Sequence, residues 1–240
     1  MTNSSSARIA AAGLVAGPLL FTASDLLRRL VQPADGSASD VAAAVGQHPG
    51  LWLAAGLLAV GAPFFLVAGM LGLIAEARGR GARVTVIGAV LVAVGAIASV
   101  GHAVAFYSPY ALYGLAGTPA DAARALDAAS EAYPLLIVVI VLFLAGMTLG
   151  PLVLFLGLRR AHRVPIWSLV ASLVFVACGS TDGIAPGVVG MVAALLAFVP
   201  AARSLSRAVA EPIRDPGPVT DSAHPSSAPI AAGARHADKS

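Results

Sequence analysis

Residues 134–160, PLLIVVIVLFLAGMTLGPLVLFLGLRR, run for 25 positions without a charge and then end on two adjacent arginines. An α-helix needs about 20 apolar residues to cross the roughly 30 Å hydrocarbon core of a bilayer. The stretch therefore predicts a transmembrane helix, and the arginines mark the membrane surface at its end.

The composition of the whole chain agrees with a protein of the lipid bilayer. Hydrophobic residues make up 58% of the 240 positions, charged residues make up 11%, and the mean hydropathy is +0.85. A soluble domain carries about 25% charged residues. The net charge of +3 does not predict nucleic-acid binding, because the basic residues lie in short clusters between apolar runs, as membrane orientation requires.

Six apolar stretches are candidates for membrane spans, and together they predict an all-α, polytopic six-helix bundle. The last two stretches form a hairpin whose tip is CGSTDGIAP. The predicted spans are residues 9–30, 51–77, 84–107, 134–158, 165–179 and 184–205.

The distribution of arginine predicts that both termini are cytoplasmic. With the N-terminus inside, 12 of the 15 basic residues fall on the cytoplasmic side and only Arg28, Arg29 and Arg124 fall outside. We expect a multi-pass protein of the cell membrane, and the 14 arginines against one lysine are typical of a GC-rich bacterial genome. An alternative for the first span is a signal peptide cleaved after FTAS, which would leave five spans.

The segments outside the spans differ in character. Residues 32–50 contain no Lys or Arg, and residues 108–133 predict a short amphipathic helix on the outer membrane surface, capped by Thr118. Residues 206–240 are rich in Pro, Ser, Ala and Asp, a composition that predicts a disordered cytoplasmic tail.

Small residues four apart predict close contacts between helices in lipid. They occur at Gly13/Gly17, Gly95/Ser99/Ala103 and Gly146/Gly150.

Two segments resemble one another and raise the hypothesis of a weak inverted three-plus-three repeat. AGLVAGPLLF at 12–21 and AGMTLGPLVLF at 145–155 share Ala-Gly, three residues and then Gly-Pro-Leu. The two spans run in opposite directions in the predicted topology, as inverted repeats of secondary transporters do.

Three charges lie near the outer end of the first span, in the sequence GPLLFTASDLLRRLVQ at 17–32. Arg28 and Arg29 follow Asp25 by three and four residues, so both can reach its carboxylate on one helical face. One interpretation is that the trio only anchors the helix end. The other is that Asp25 faces an outward-opening cavity and takes part in solute binding or ion traffic.

His102 and Asp182 are further candidates in the predicted outer half. His102 lies in the third span with Ser99 three residues before it, and Asp182 lies at the tip of the last hairpin. Each also has a plain structural interpretation, as a histidine hydrogen-bonded between helices and as a tip residue in the headgroups. The functional hypothesis is one polar site made of Asp25, Arg28, His102 and Asp182.

Motifs of known catalytic or cofactor chemistry do not occur in the sequence. It contains neither a His-Glu-x-x-His metal site nor a Gly-x-Ser-x-Gly nucleophile elbow, and no span contains a lysine for retinal. A haem between His48 and His102 is a remote alternative. Cys178 is the single cysteine, which excludes an intramolecular disulfide. We expect no cofactor and no metal.

Three functions remain open at this point. The first is a non-catalytic accessory, sensory or scaffolding membrane protein, with a protein or small-molecule partner in addition to the lipid bilayer. The second is a small secondary transporter with an outward-facing site around Asp25 and His102. The third is a membrane-embedded enzyme acting on a lipid or quinone, which no motif supports.

Overall fold

The computed structural model describes residues 4–210, with side chains described for 5–207, and all the secondary structure in this part of the chain is helical. Five of the helices are long and apolar enough to cross a membrane. The eight helices are α1 (Ser4–Val31), α2 (Ala38–Gln47), α3 (Pro49–Ala75), α4 (Ala82–Ala116), α5 (Ala120–Glu131), α6 (Pro134–Arg160), α7 (Ile166–Gly179) and α8 (Ile184–Ala210).

Helix α7 is the reason why the predicted count of six spans is not confirmed. It has 14 residues and extends for about 21 Å, which is short of a typical bilayer core. It nevertheless runs from one end of the bundle to the other. Arg163, just before it, donates to the Glu76 carbonyl where α3 ends, whereas Cys178 near its last turn contacts Arg29 where α1 ends.

The six apolar helices form a closed ring in chain order. Each packs against its neighbours along the chain, and α8 returns to pack against α1. The order around the ring is α1, α3, α4, α6, α7, α8. Helix α6 packs closely on α4 but contacts α7 less extensively than other neighbours in the ring contact each other.

Glycines produce the closest helix contacts, as the small-residue pattern predicted. A Cβ on Gly13 would lie 2.5 Å from the Phe65 carbonyl oxygen of α3. A Cβ on Gly95 would lie 2.8 Å from the Gly146 Cα of α6. Because no side chain larger than hydrogen fits at these positions, the α1–α3 and α4–α6 pairs are held backbone to backbone.

The order of the ring does not support the inverted repeat. An inverted repeat relates its two halves by a two-fold axis in the membrane plane. Viewed from one side of the membrane, the helices of one half would then follow one another clockwise around the ring and those of the other half anticlockwise. Helices α6, α7 and α8 instead continue around the ring in the same sense as α1, α3 and α4. The shared Gly-Pro does place a proline inside both α1 and α6, at Pro18 and Pro151.

The two ends of the bundle carry opposite charge. At the end where α1 begins and α8 finishes, which we call the basic end, the described residues include nine arginines and a single acidic residue, Glu76. The opposite end, which we call the acidic end, carries seven Asp and Glu residues and three arginines.

The main hydrophobic core fills the basic half of the ring. Leu14, Met70, Leu154, Phe155 and Leu205 are fully buried there, and Phe155 meets the Phe198 ring edge-on at a centroid distance of 5.0 Å. The acidic half is not filled in this way, and it encloses the cavity described below.

A small layer of helices outside the predicted spans covers the acidic end, and here the structure corrects the predicted end of the third span and the predicted helix cap. Helix α4 continues nine residues beyond the predicted span end at 107, for a total of 35 residues or about 52 Å. Residues 32–50 contain helix α2, whose Gly46 packs against Gly114 of the α4 extension. Helix α5 begins at Ala120 and Thr118 does not cap it.

The predicted tail is described only in part. Residues 206–210 continue helix α8, and the prediction of disorder for the remainder falls on residues outside the described part of the chain.

Candidate functional site

A cavity of about 330 Å³ lies inside the acidic half of the ring. All six apolar helices contribute to its wall, and the lining is predominantly apolar with a polar strip from α1 and α4. The lining includes Phe21, Ser24, Asp25, Arg28, His102, Tyr107, Phe143, Met147, Phe175 and Cys178.

The charged part of the wall is Asp25 and Arg28 on α1, and with Arg29, which does not line the cavity, they form a trio of charges. Arg28 donates from Nη2 and Nε to the Asp25 Oδ1 at 2.8 and 3.2 Å, and Arg29 donates from Nε to the Oδ2 at 2.6 Å. The prediction that both arginines reach the carboxylate is therefore confirmed. Two guanidinium groups share one carboxylate, so these three side chains together carry one net positive charge.

Arg29 has a second set of partners that the sequence did not indicate. Its Nη1 donates to the carbonyls of Thr181 and Gly183 at 2.5 and 2.9 Å, and its Nη2 donates to the Cys178 carbonyl at 3.2 Å. These carbonyls lie at the end of α7 and in the turn before α8, where backbone carbonyls have no hydrogen-bond donor within a helix. Because its side chain is only 3% exposed, Arg29 ties α1 to the α7–α8 tip from within the protein.

His102 of α4 also lines the cavity, between aromatic rings. Its imidazole stacks on Phe143 of α6 at 4.9 Å with an interplanar angle of 18°, and it lies 6.1 Å from the Phe106 ring. Ser99, which shares its helical face, instead donates to the Ala96 carbonyl at 2.7 Å. Within the described residues the imidazole makes ring contacts but no hydrogen bond, so its nitrogens are available to a molecule in the cavity.

Ser24 and Tyr107 complete the polar strip, and neither was predicted. Ser24 donates to the Ala55 carbonyl at 2.7 Å, and its Oγ lies 3.2 Å from the Tyr107 hydroxyl. The backbone carbonyl of Tyr107 accepts from Trp52 Nε1 at 2.9 Å. The closely spaced aromatics of AFYSPYALY, at 105–113, were the available signal, since their rings pack around the buried Trp52.

Asp182 is separated from the other three predicted site residues. It is exposed at the α7–α8 tip and does not line the cavity. The structure thus brings Asp25, Arg28 and His102 to one cavity, while the residue that links them to the tip is Arg29.

A metal site of ordinary composition is absent from residues 4–210. No group of three His, Cys, Asp or Glu side chains in that range is close enough to hold an ion.

Comparisons with protein-family models, with curated proteins and with solved structures found no match to this chain.

Proposed function

We propose that this protein binds a small, mostly apolar molecule with an anionic or hydrogen-bond-accepting end, and that it acts as a non-catalytic sensory or accessory protein of the cell membrane. The observation that carries the proposal is the cavity lined by all six apolar helices, with a charged and aromatic wall. Ligand pockets of about 300–1,000 Å³ with few, converging polar groups are the usual form of small-molecule sites.

The lining indicates the chemistry of the ligand. Phe21, Phe143, Met147 and Phe175 supply apolar and aromatic surface for the body of the molecule. The one net positive charge of the Asp25 trio favours an anionic or acceptor group at the polar end. His102 can exchange a hydrogen bond with the same molecule because its nitrogens have no protein partner in the described residues.

The loose contact between α6 and α7 supports access from the bilayer. Thr148 of α6 and Gly179 of α7 both line the cavity and are both exposed. An apolar ligand that partitions into lipid reaches the cavity through this side without crossing the charged end.

The orientation that we propose has six crossings, with α7 as the fifth and both termini in the cytoplasm. The nine arginines of the basic end would then face the cytoplasm, in accord with the positive-inside rule. The cavity and the Asp25 trio would lie in the outer half of the membrane.

The test is a thermal-stability scan of the purified protein against lipids and metabolites that carry an apolar body and one anionic group. A ligand at a hundred times its dissociation constant stabilises the folded state by about 2.7 kcal/mol. We expect a ligand-dependent shift that His102→Ala and Arg28→Gln each reduce, because Arg28→Gln removes the net positive charge beside the cavity. Arg124→Gln is the matched control, because its exposed guanidinium lies outside the cavity, and it should leave the shift unchanged. Equal loss in all three variants, or no shift with any member of the panel, would contradict the proposal.

A secondary transporter is the second candidate, and the placement of two prolines favours it. Pro18 of α1 and Pro151 of α6 lie around a narrow gap that shares Phe21, Met147 and Phe175 with the cavity. A proline removes a backbone hydrogen bond from its helix, and broken helices near the midplane are typical of transporters. Substrate-dependent flux in proteoliposomes would select this candidate, while binding without flux would select the first.

A further inference from the structure

We propose that a groove between the beginning of α1 and the end of α8 binds an anionic phospholipid of the cytoplasmic leaflet. The groove lies at the basic end, has an open volume of about 470 Å³ and does not touch the cavity. We call it the α1–α8 groove, and it is lined by Arg8, Ala11, Ala12, Val15, Val199, Ala202, Arg203, Ser206 and Arg207.

Three guanidinium groups surround the charged mouth of the groove. Arg203 and Arg207 are four residues apart and share one face of α8, while Arg8 lies across from them on α1. In contrast to the arginines of the acidic end, none of these three has an acidic partner among the described residues. Arginine binds phosphate oxygens through paired N–H groups, so this arrangement suits a phosphate.

The surrounding charge strengthens the preference for an anion. Nine arginines lie at this end of the described chain against Glu76, so the groove is in a strongly positive region. Basic pockets between transmembrane helices at the cytoplasmic face are known binding sites for anionic headgroups.

The floor of the groove selects a lipid rather than a soluble phosphate. Val15 lies seven residues after Arg8, about 10 Å deeper along α1, and Val199 lies similarly deep on the antiparallel α8. Ala11 and Ala202 between them are small and nearly buried, which leaves a shallow apolar channel behind the charges. A headgroup phosphate at the arginines would place an acyl chain along this channel.

The experiment compares phosphatidylglycerol with phosphatidylcholine on the full-length protein. Native mass spectrometry would count retained lipids, and thermal melting in mixed micelles would report stabilisation. The test variant is R203Q/R207Q, and the matched control is R159Q/R160Q, which removes the same charge from the same end outside the groove. R203K/R207K serves as a variant that keeps both charges.

We expect the wild type to retain phosphatidylglycerol preferentially. R203Q/R207Q should lose on the order of thirtyfold in this preference, since each basic residue near an anionic lipid surface contributes a factor of about five. R159Q/R160Q should keep the preference, and R203K/R207K should keep part of it. Equal loss in the test and control variants would reduce the effect to general charge and overturn the proposal. Equal protection by inorganic phosphate, or no lipid preference in the wild type, would also overturn it.

Discussion

Arg28 and Arg29 are neighbours in the sequence and both bind Asp25, yet the structure gives them different surroundings. Arg28 is 23% exposed and also donates to Gln32, whereas Arg29 is 3% exposed and holds three backbone carbonyls of the α7–α8 tip. The spacing within α1 was sufficient to predict the shared carboxylate. It could not predict the tip, because those carbonyls lie about 150 residues further along the chain.

This difference predicts unequal effects of the same substitution. Arg29→Gln removes a buried ion pair and three hydrogen bonds, which should cost on the order of 3 kcal/mol. Arg28→Gln removes a partly exposed pair and should cost about 0–1 kcal/mol. Reversible unfolding in detergent would measure both. Equal destabilisation by the two variants would mean that the tip contacts do not hold α7 and α8 in place.

The close contact between α4 and α6 predicts a destabilising glycine substitution, and an open position on α3 provides the contrasting one. A Cβ on Gly146 would lie 2.5 Å from the Gly95 Cα, whereas a Cβ on Gly61 in α3 would meet nothing within 4 Å. Gly146→Ala should therefore destabilise the protein by about 1–3 kcal/mol through overpacking. Gly61→Ala should be neutral or stabilise it by up to about 1 kcal/mol, because alanine favours the helix. The same unfolding assay reports both, and a harmless Gly146→Ala would show that α4 and α6 are not in close contact.

At the scale of elements, hydropathy predicted the membrane helices well and the helices that cover the acidic end poorly. The ends of α3 and α6 were predicted within two residues, because uncharged runs have few alternatives in lipid. Helix α2 was missed although Ser37 and Asp40 carry a capping signature, since its ten residues are too few to form an apolar run of membrane-spanning length. The α4 extension was missed because the predicted span ends at 107, whereas the helix continues through Pro109, a residue that interrupts most helices.

The start of α2 should respond to acid. The Asp40 carboxylate accepts from the Ser37 hydroxyl at 2.6 Å and from its backbone N–H at 2.8 Å, and these bonds hold the pKa of Asp40 below its usual range. A lowered pKa in the folded state means that the capping contribution is complete above the unfolded pKa of about 4 and disappears as the pH falls through the folded value.

Hydrogen exchange over residues 38–47, corrected for its intrinsic pH dependence, is the measurement for this cap. Protection should fall below about pH 4 in the wild type and should be lower and nearly independent of pH in Asp40→Asn. Asp35→Asn, an exposed position in the turn before α2, should behave as the wild type. A pH response that survives in Asp40→Asn would assign it to another group.

At the scale of the whole molecule, the sequence predicted a helical membrane bundle but not the ring that creates a cavity. The arrangement depends on which helices pack against each other. The glycine spacings in α1, α4 and α6 predicted close contacts but not the helix that each one contacts. Helix α7 remains the element on which the topology depends. Its 14 residues are too few for a standard span, although its two ends lie at opposite ends of the bundle.

Labelling of single cysteines tests whether α7 crosses the membrane. Cys178 is the only native cysteine, so Cys178→Ala provides a background free of thiols. In that background we expect Ser39→Cys in α2 and Thr181→Cys at the α7–α8 tip to react with a membrane-impermeant maleimide from the same, outer face of intact cells. Arg80→Cys, in the turn between α3 and α4, should react only after the cells are opened. A Thr181→Cys that reacts together with Arg80→Cys would place the tip inside and contradict six crossings. The contact between Arg29 and the Thr181 carbonyl could not then form in a bilayer. Arg29→Gln should in that case destabilise the protein no more than Arg28→Gln does.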